Sequence, residues 1–402
     1  MTKKILSVIL AALMLLTVSV PAFATEGDAP ATGDALQFGA DGNFQILVLA
    51  DVQDNNPVNE DTLQYIREAL DTVKPDLVIF NGDNITIDDK AAYDQLMQPL
   101  VERGQKFTFV FGNHDVEDRS FTHEDILEIY QSYEGCLAYD ADPSLHGCAT
   151  HNLPILSSDG TKVAFNLWMF DSGDYLKNED GSWYYDEFDS RVYDCVRKDQ
   201  IEWYKNESKK LEAENGGKVP SIAFQHIITE EGVAAILPQI PSFLGLIGRS
   251  FTNGNAYSFV PVFTRIKDGF ILEPPCPSVD NDGQWDAFVE RGDVLGCVFG
   301  HDHVNSFIAE YNGVDAMMTP GITSESYSND MLRGGRIITI DEDDPWNYET
   351  EILYFHALAL KEGSLIPEVT GQSLASFRLQ EFLLAVSEVA LKIGQVLTFF
   401  IR

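Results

Sequence analysis

Positive charge is scarce in this chain. Its 402 residues hold 27 Lys and Arg against 63 Asp and Glu, a formal net charge of −36. An excess of that size repels polyanions, and no run of Lys and Arg provides a local basic patch, which disfavours long nucleic acid as a partner. Cysteine is also sparse. There are five, an odd number, and none has zinc-finger spacing. In an exported chain at least one stays unpaired. Cys136 and Cys148 flank a short loop and are the pair expected to bridge, while Cys297 sits in an apolar run and reads as a small buried residue. The C-terminal stretch lacks an unbroken apolar span, since Arg378, Glu381, Glu388 and Lys392 interrupt Leu374 to Ile401. It reads as an amphipathic helical extension (357–402), packed on the domain or serving as a membrane-surface or partner contact.

The N-terminus differs. Lys3 and Lys4 precede an apolar run from Ile5 to Val20, and Ala22-Phe23-Ala24 fits a signal-peptidase site. Residues 1–24 are therefore read as a signal peptide, cleaved during export of a secreted protein of bacterial type. No cysteine follows the run to carry a lipid anchor. Residues 25–40 read as a flexible lead, and 41–356 as one large domain.

Within that domain four apolar runs end in residues able to bind a metal. Ile46 to Ala50 leads into Asp51-Val52-Gln53, and Leu77 to Phe80 leads into Asn81-Gly82-Asp83-Asn84. Phe107 to Phe111 leads into Gly112-Asn113-His114-Asp115, and Val298-Phe299 leads into Gly300-His301-Asp302-His303. Helical spacing over Glu60–Val73, and again from about Ala91 to Arg103, separates the first three runs. This alternation predicts parallel β-α-β units with ligand-binding loops at the carboxyl ends of strands. Ser221 to Gln225 leads in the same way to His226. The stretch from Ile227 to Gly292 reads as a long irregular insertion shaping substrate access. After His303, strands near 306–311, 314–319, 336–340 and 349–355 are expected to form a second sheet packed on the first.

The candidate metal ligands are Asp51, Gln53, Asp83, Asn113, His226, His301 and His303. Carboxylates, amides and imidazoles together suit Mn, Fe or Zn better than Ca. Asp83 is placed to bridge two divalent ions, which would clamp a hydroxide for in-line attack on a phosphoryl centre. His114, adjacent to Asn113 and not needed as a ligand, is placed to protonate the leaving oxygen. His123, His146, His151 and His356 read as hydrogen-bonded core residues. Arg249, Arg265, Arg333 and Arg336 are candidate phosphate partners.

This ordered set resembles the calcineurin-like metallophosphoesterase superfamily, whose pattern is D-x-H, G-D-x-x, G-N-H-[DE], H and G-H-x-H. The resemblance spans about Phe44 to Phe355. Phe111 to Asp115, Phe170-Asp171-Ser172-Gly173 and Gly300 to Asn305 look like the branch containing the fungal dosage-dependent cell-cycle regulator phosphatase and secreted bacterial relatives. It implies a four-layer α/β/β/α sandwich with two mixed β-sheets. It also implies one metal on Asp51, Gln53, Asp83 and His303, and a second on Asp83, Asn113, His226 and His301. His114 would then be the general acid, with Asp115 orienting it. Gln53 stands where most members have histidine and would hold its metal more weakly. Thr86 stands where the purple acid phosphatases carry the tyrosine of their ferric centre, so a tyrosinate-bound iron is not expected. The function expected is hydrolysis of small phosphate mono- or diesters. A nuclease or nucleotide phosphodiesterase, or a metal-bearing binding protein without catalysis, are the alternatives.

Overall fold

A computed structural model describes residues 35–185, 189–240, 248–250, 256–258, 265–278, 281–361 and 363–366. The expected signal peptide, residues 25–34 of the lead and 367–402 of the C-terminal extension lie outside the described residues. No helix among the described residues is long and apolar enough to cross a membrane.

Strand Asn43–Leu49 shows how the layers arise. Successive side chains of a strand point to opposite faces. Leu47 and Leu49 join Val78, Phe80, Phe107 and Phe109 in one buried cluster, while Ile46 and Val48 join Leu77 and Ile79 in another. The first face is covered by helices Glu60–Val73, Lys90–Val101 and His123–Gln131. The second faces Ile155, Phe165, Leu167, Ile222, Phe224 and Val298 of the other sheet. That sheet turns Trp168, Phe170, Ala223, Cys297 and Phe299 outward, under helices Lys198–Asn215, Glu230–Ile236 and Gln284–Arg291. Both sheets are buried on both faces, which is why their strands read as continuous apolar runs. The result is the α/β/β/α sandwich.

The five-stranded sheet has the order Glu349–Tyr354, Gly334–Asp341, Asn43–Leu49, Leu77–Asn81, Phe107–Val110. Its last three strands are parallel, and the two returning strands are antiparallel. The eight-stranded sheet has the order Leu36–Gln37, His151–Leu156, Val163–Met169, Ser221–Phe224, Val294–Phe299, Val314–Met318, Ile308–Tyr311, Ile266–Asp268, and it too is mixed. Three short strands within 239–258 form a separate small sheet.

Three expectations are corrected here. The four strands after His303 do not form one second sheet. Ile308–Tyr311 and Val314–Met318 join the eight-stranded sheet, whereas Gly334–Asp341 returns to pair Arg336 with Val48 and Ile340 with Phe44. The lead is ordered over its described end, because Leu36 and Phe38 are buried and the Phe38 and Phe44 rings meet edge to face at 5.9 Å. Cys136 and Cys148 are not bridged. Cys136 pairs its backbone beside Phe107, while the Cys148 amide is tied to Asp171 across 2.8 Å.

Helix Glu60–Val73 fixes the loop behind Asp51. Asn59 caps it by accepting from the Asp61 amide, and Lys74 ends it in a left-handed turn with φ 53°. Pro75 then cannot continue the helix.

Candidate metal centre

The predicted ligands lie where parallel strands end, but not as a strand's alternation would place them. Asp51, Gln53, Asp83 and His301 all have left-handed backbones, with φ of 50°, 42°, 54° and 75°. Such a conformation costs about 1–3 kcal/mol at each non-glycine residue and persists only where the surroundings enforce it. Here the loops interlock. The Asp51 amide donates to Gly82 O, and the Gln53 amide to Asp83 O. Asp51 in turn accepts the His301 amide on both oxygens, at 3.1 and 3.0 Å. Asp51 and Gln53 therefore reach the site through curled loop backbone. Close approach also explains two glycines. A Cβ on Gly112 would sit 2.2 Å from Asp83 Oδ1, and one on Gly82 would sit 2.4 Å from His226 Nδ1.

All seven predicted ligands are buried, and the structure brings them together. Asp83 is central. His226 Nε2 lies 3.2 Å from Asp83 Oδ2 and 3.8 Å from Asp51 Oδ1, and His303 Nε2 lies 3.6 Å from Asp51 Oδ1. Ligand atoms of Asp83, His226 and His301 all fall within 4.8 Å of one another. His226 directs Nδ1 at Asn81 O, 2.9 Å away, and His303 directs Nδ1 at Tyr327 O, 2.7 Å away. With Nδ1 turned to a backbone carbonyl, both rings point Nε2 at the carboxylates, the orientation usual for metal-binding histidine. Burial disfavours the His226 cation, but Asp83 and Asp51 outweigh it and raise its pKa to about 10. Tyr327 also lies flat on the His303 ring at 4.1 Å, and Tyr193 meets the His301 ring edge-on at 4.4 Å.

These residues fit a cation. Asn113 Oδ1 and His301 Nε2 are buried with no hydrogen-bond partner, an expensive condition for polar atoms unless they are ligands. Burial pushes the Asp51 carboxyl up to about 6 although His226 and His303 oppose the rise. A positive ion would relieve that penalty. Burial and then the charge of His226 hold His301 well below its ordinary value, in the neutral form that ligates. At the first predicted metal the fit is looser. Gln53 donates its amide nitrogen to Asp83 Oδ2 at 3.0 Å, so it meets the central carboxylate as a donor.

His114 is placed apart from the ligands. Its backbone amide donates to Asp83 Oδ1 at 2.7 Å, and its half-exposed side chain keeps access to solvent. Its Nδ1 is hydrogen bonded to Glu117 Oε2. Burial works against the imidazolium, but Glu117 and Asp83 outweigh it and raise the pKa. The carboxylate bonded to the His114 ring is thus Glu117, and not the Asp115 expected to orient it. Asp115 instead accepts the amides of Gly112, Asp83 and Asn84 at 2.7, 3.0 and 2.9 Å. It clamps one ligand loop to the other because its carboxylate points back into the turn.

Several other assignments change. Arg333 donates to Thr323 O and Ser324 Oγ, Arg336 to Ser306 O and Met318 O, and Arg265 to Ala234 O. These three support backbone and loops, while the Arg249 side chain lies outside the described residues. His151 is a buried core residue as expected, whereas His146 is a partly exposed partner of Asp194. Thr86 bonds Asp54 O and Asn55 Oδ1. Sequence reasoning missed Glu117, Arg191, Tyr175 and Tyr193. Only Glu117 carried a signal, an acid one helical turn after His114. Arg191 and the two tyrosines come from residues 174–185 and 189–193, which the bridges Tyr175↔Tyr193 and Tyr185↔Arg191 hold together beside the ligands.

Buried carboxylates and imidazoles gathered at the strand ends of a double-sheet sandwich, with one half-exposed histidine beside them, define a metal-binding phosphoesterase type of site. The chain belongs to the calcineurin-like phosphoesterase family, whose model matches residues 44–305. It is 28% identical over 322 residues to "Probable inactive purple acid phosphatase 14" of Arabidopsis thaliana, covering 73% of each chain. It is 25% identical over 301 residues to "Phosphatase DCR2" of Saccharomyces cerevisiae, covering 68% of this chain and 46% of that one. A solved dimetal phosphatase from Danio rerio is similar at a TM-score of 0.45 and 13% identity, over 78% of this chain and 99% of that one.

Proposed function

We propose that this protein is a metal-dependent phosphoesterase that hydrolyses small phosphate mono- or diesters and is exported through its N-terminal segment. The observation that carries the reading is the buried cluster of Asp83, His226 and His301 ligand atoms, with Asn113 Oδ1 and His301 Nε2 lacking hydrogen-bond partners and His114 donating its amide to Asp83. Asp83, Asn113, His226 and His301 would hold one divalent ion, and Asp51, Asp83, His303 and Gln53 a second. Such ions supply Lewis-acid polarisation of the phosphoryl group and charge stabilisation in its transition state.

The chain's own residues do the rest. Asn81 and Tyr327 carbonyls orient the rings of His226 and His303. His114, with Nδ1 engaged by Glu117, holds its transferable proton on Nε2 and gives it to the leaving oxygen. The net charge of −36 favours small substrates over nucleic acid, which sets the nuclease reading aside.

A second reading is a binding protein that retains metal without turnover. It is favoured by the Gln53 amide nitrogen facing Asp83 and by the relative named as an inactive phosphatase. Turnover of a generic aryl phosphate with added Mn²⁺ separates the two. Activity above background establishes the enzyme, and bound metal without turnover establishes the binder.

A further inference from the structure

The half of the site that handles the proton is built differently from the half that binds metal. Its partner residue lies on the Asn113 loop, three residues after His114. Three residues after Asp83 the chain has Thr86, whose hydroxyl is spent on Asp54 O and Asn55 Oδ1 at 3.2 and 3.1 Å. Among the described residues, the carboxylate hydrogen bonded to the His114 ring is Glu117. Glu117 is itself held, since its Oε1 accepts from Arg191 Nη1 at 2.6 Å. Arg191 Nη2 donates to Asp118 Oδ2 at 2.7 Å. The Arg191 guanidinium also packs over the rings of Tyr175 and Trp183, at 5.4 and 4.9 Å. Tyr175 closes the circuit by accepting from Asn113 Nδ2 at 3.1 Å, so the ring beneath Arg191 also rests on a metal-site residue.

We propose that Glu117 is the positioning residue for His114, and that Arg191 locks Glu117 in place from the neighbouring residues 189–193. With Glu117 on Nδ1, the imidazolium presents only its Nε2 proton to the substrate. As a water-derived oxygen bonds to phosphorus and the bond from phosphorus to the leaving oxygen breaks, the leaving oxygen takes the bonding pair and the Nε2 proton. The imidazole is left neutral with its Nδ1–H still donated to Glu117, the tautomer that can take up a new proton at Nε2. Both contacts of the lock are charge-assisted, which makes it directional. Arg191 donates to both Glu117 and Asp118, which makes it a support of the proton donor.

This inference rests on the phosphoesterase reading, and its test has one arm independent of turnover. In ¹⁵N-histidine-labelled, metal-free protein, the His114 Nδ1–H signal is identified by its loss in His114→Ala. Glu117→Gln should shift or abolish it. In Mn²⁺-loaded protein, Glu117→Gln should lower kcat on an alkyl phosphate by about tenfold or more, and on a nitroaryl phosphate by less than about threefold. KM and metal content should stay as in the wild type, and Glu117→Asp should restore part of the loss. Arg191→Ala should give a smaller loss of the same pattern, and adding it to Glu117→Gln should cost nothing further. Equal losses on both esters, additive effects, or an unmoved Nδ1 signal would overturn the proposal. If the wild type hydrolyses neither ester, the phosphoesterase reading fails, and the Nδ1 signal still decides whether Glu117 holds His114.

Discussion

Gln53 Nε2 donates to Asp83 Oδ2 across 3.0 Å, so the residue standing where most relatives would have an imidazole faces the central carboxylate as a donor. A metal bound to Asp83 Oδ2 would compete with that hydrogen bond, worth about 0.5–1.5 kcal/mol, and a neutral amide donates less to a metal than an imidazole. The first ion should therefore be held less tightly than the second. Activity should rise with added Mn²⁺ or Zn²⁺ well beyond the amount that fills one site, and Gln53→His should reduce that dependence. Wild-type metal affinity and rate in Gln53→Ala would make Gln53 a loop residue only.

His114 is expected to act on the leaving group and to bind no metal. His114→Ala should slow hydrolysis of an alkyl phosphate by about 10²–10⁴ while spectroscopic metal content stays normal. A nitroaryl phosphate, whose leaving oxygen needs no proton, should lose far less. Equal losses would remove the general-acid assignment.

Asp115 should behave as a structural clamp. It accepts three backbone amides from two ligand loops, and Asp115→Asn replaces one acceptor oxygen with a donor. Unfolding by urea should show a loss of about 1–3 kcal/mol, together with weaker metal binding. The rate loss should be the same for good and poor leaving groups. Selective damage to poor leaving groups would return Asp115 to an orienting role.

The apolar runs into Asp51, Asp83, Asn113 and His301 pointed to one buried cluster because strands buried on both faces leave polar residues to their ends. The partition of later strands was hidden, since Arg336–Ile340 is apolar enough for either sheet and only its pairing with Phe44–Val48 decides. The left-handed turns at Asp51 and Asp83 were hidden too, because Asp and Gln carry no glycine-like signal. That Asp115 turns back onto backbone amides while Glu117 meets the His114 ring depends on the direction of one tight turn, which residue spacing does not encode. Arg333 and Arg336 were mistaken for phosphate partners because burial against backbone carbonyls appears only once the sheet and its loops are assembled.

His151 gives a pH dependence of stability. Burial holds its pKa down at about 4, from an ordinary 6.5. Its Nδ1–H donates to Ala149 O at 2.6 Å, and Nε2 accepts from Thr108 at 2.8 Å. The fold thus favours the neutral ring, and the unfolded chain binds the proton more readily. The stabilisation is complete above the ordinary pKa and is eroded as pH falls from there towards 4, by roughly 3 kcal/mol in total. Urea unfolding at pH 7 and pH 5 should show wild type losing about 2 kcal/mol more than His151→Gln over that interval. Parallel losses in the two proteins would refute the assignment.

Asp83 is the residue on which the metal centre depends, and Asp83→Asn tests it most directly. Metal content of the purified protein, measured alongside turnover of an aryl phosphate, should fall in this variant with most activity lost, because the carboxylate serves the His226 and His301 side and faces Gln53 as well. Unchanged metal occupancy with unchanged turnover would contradict a metal centre built on Asp83.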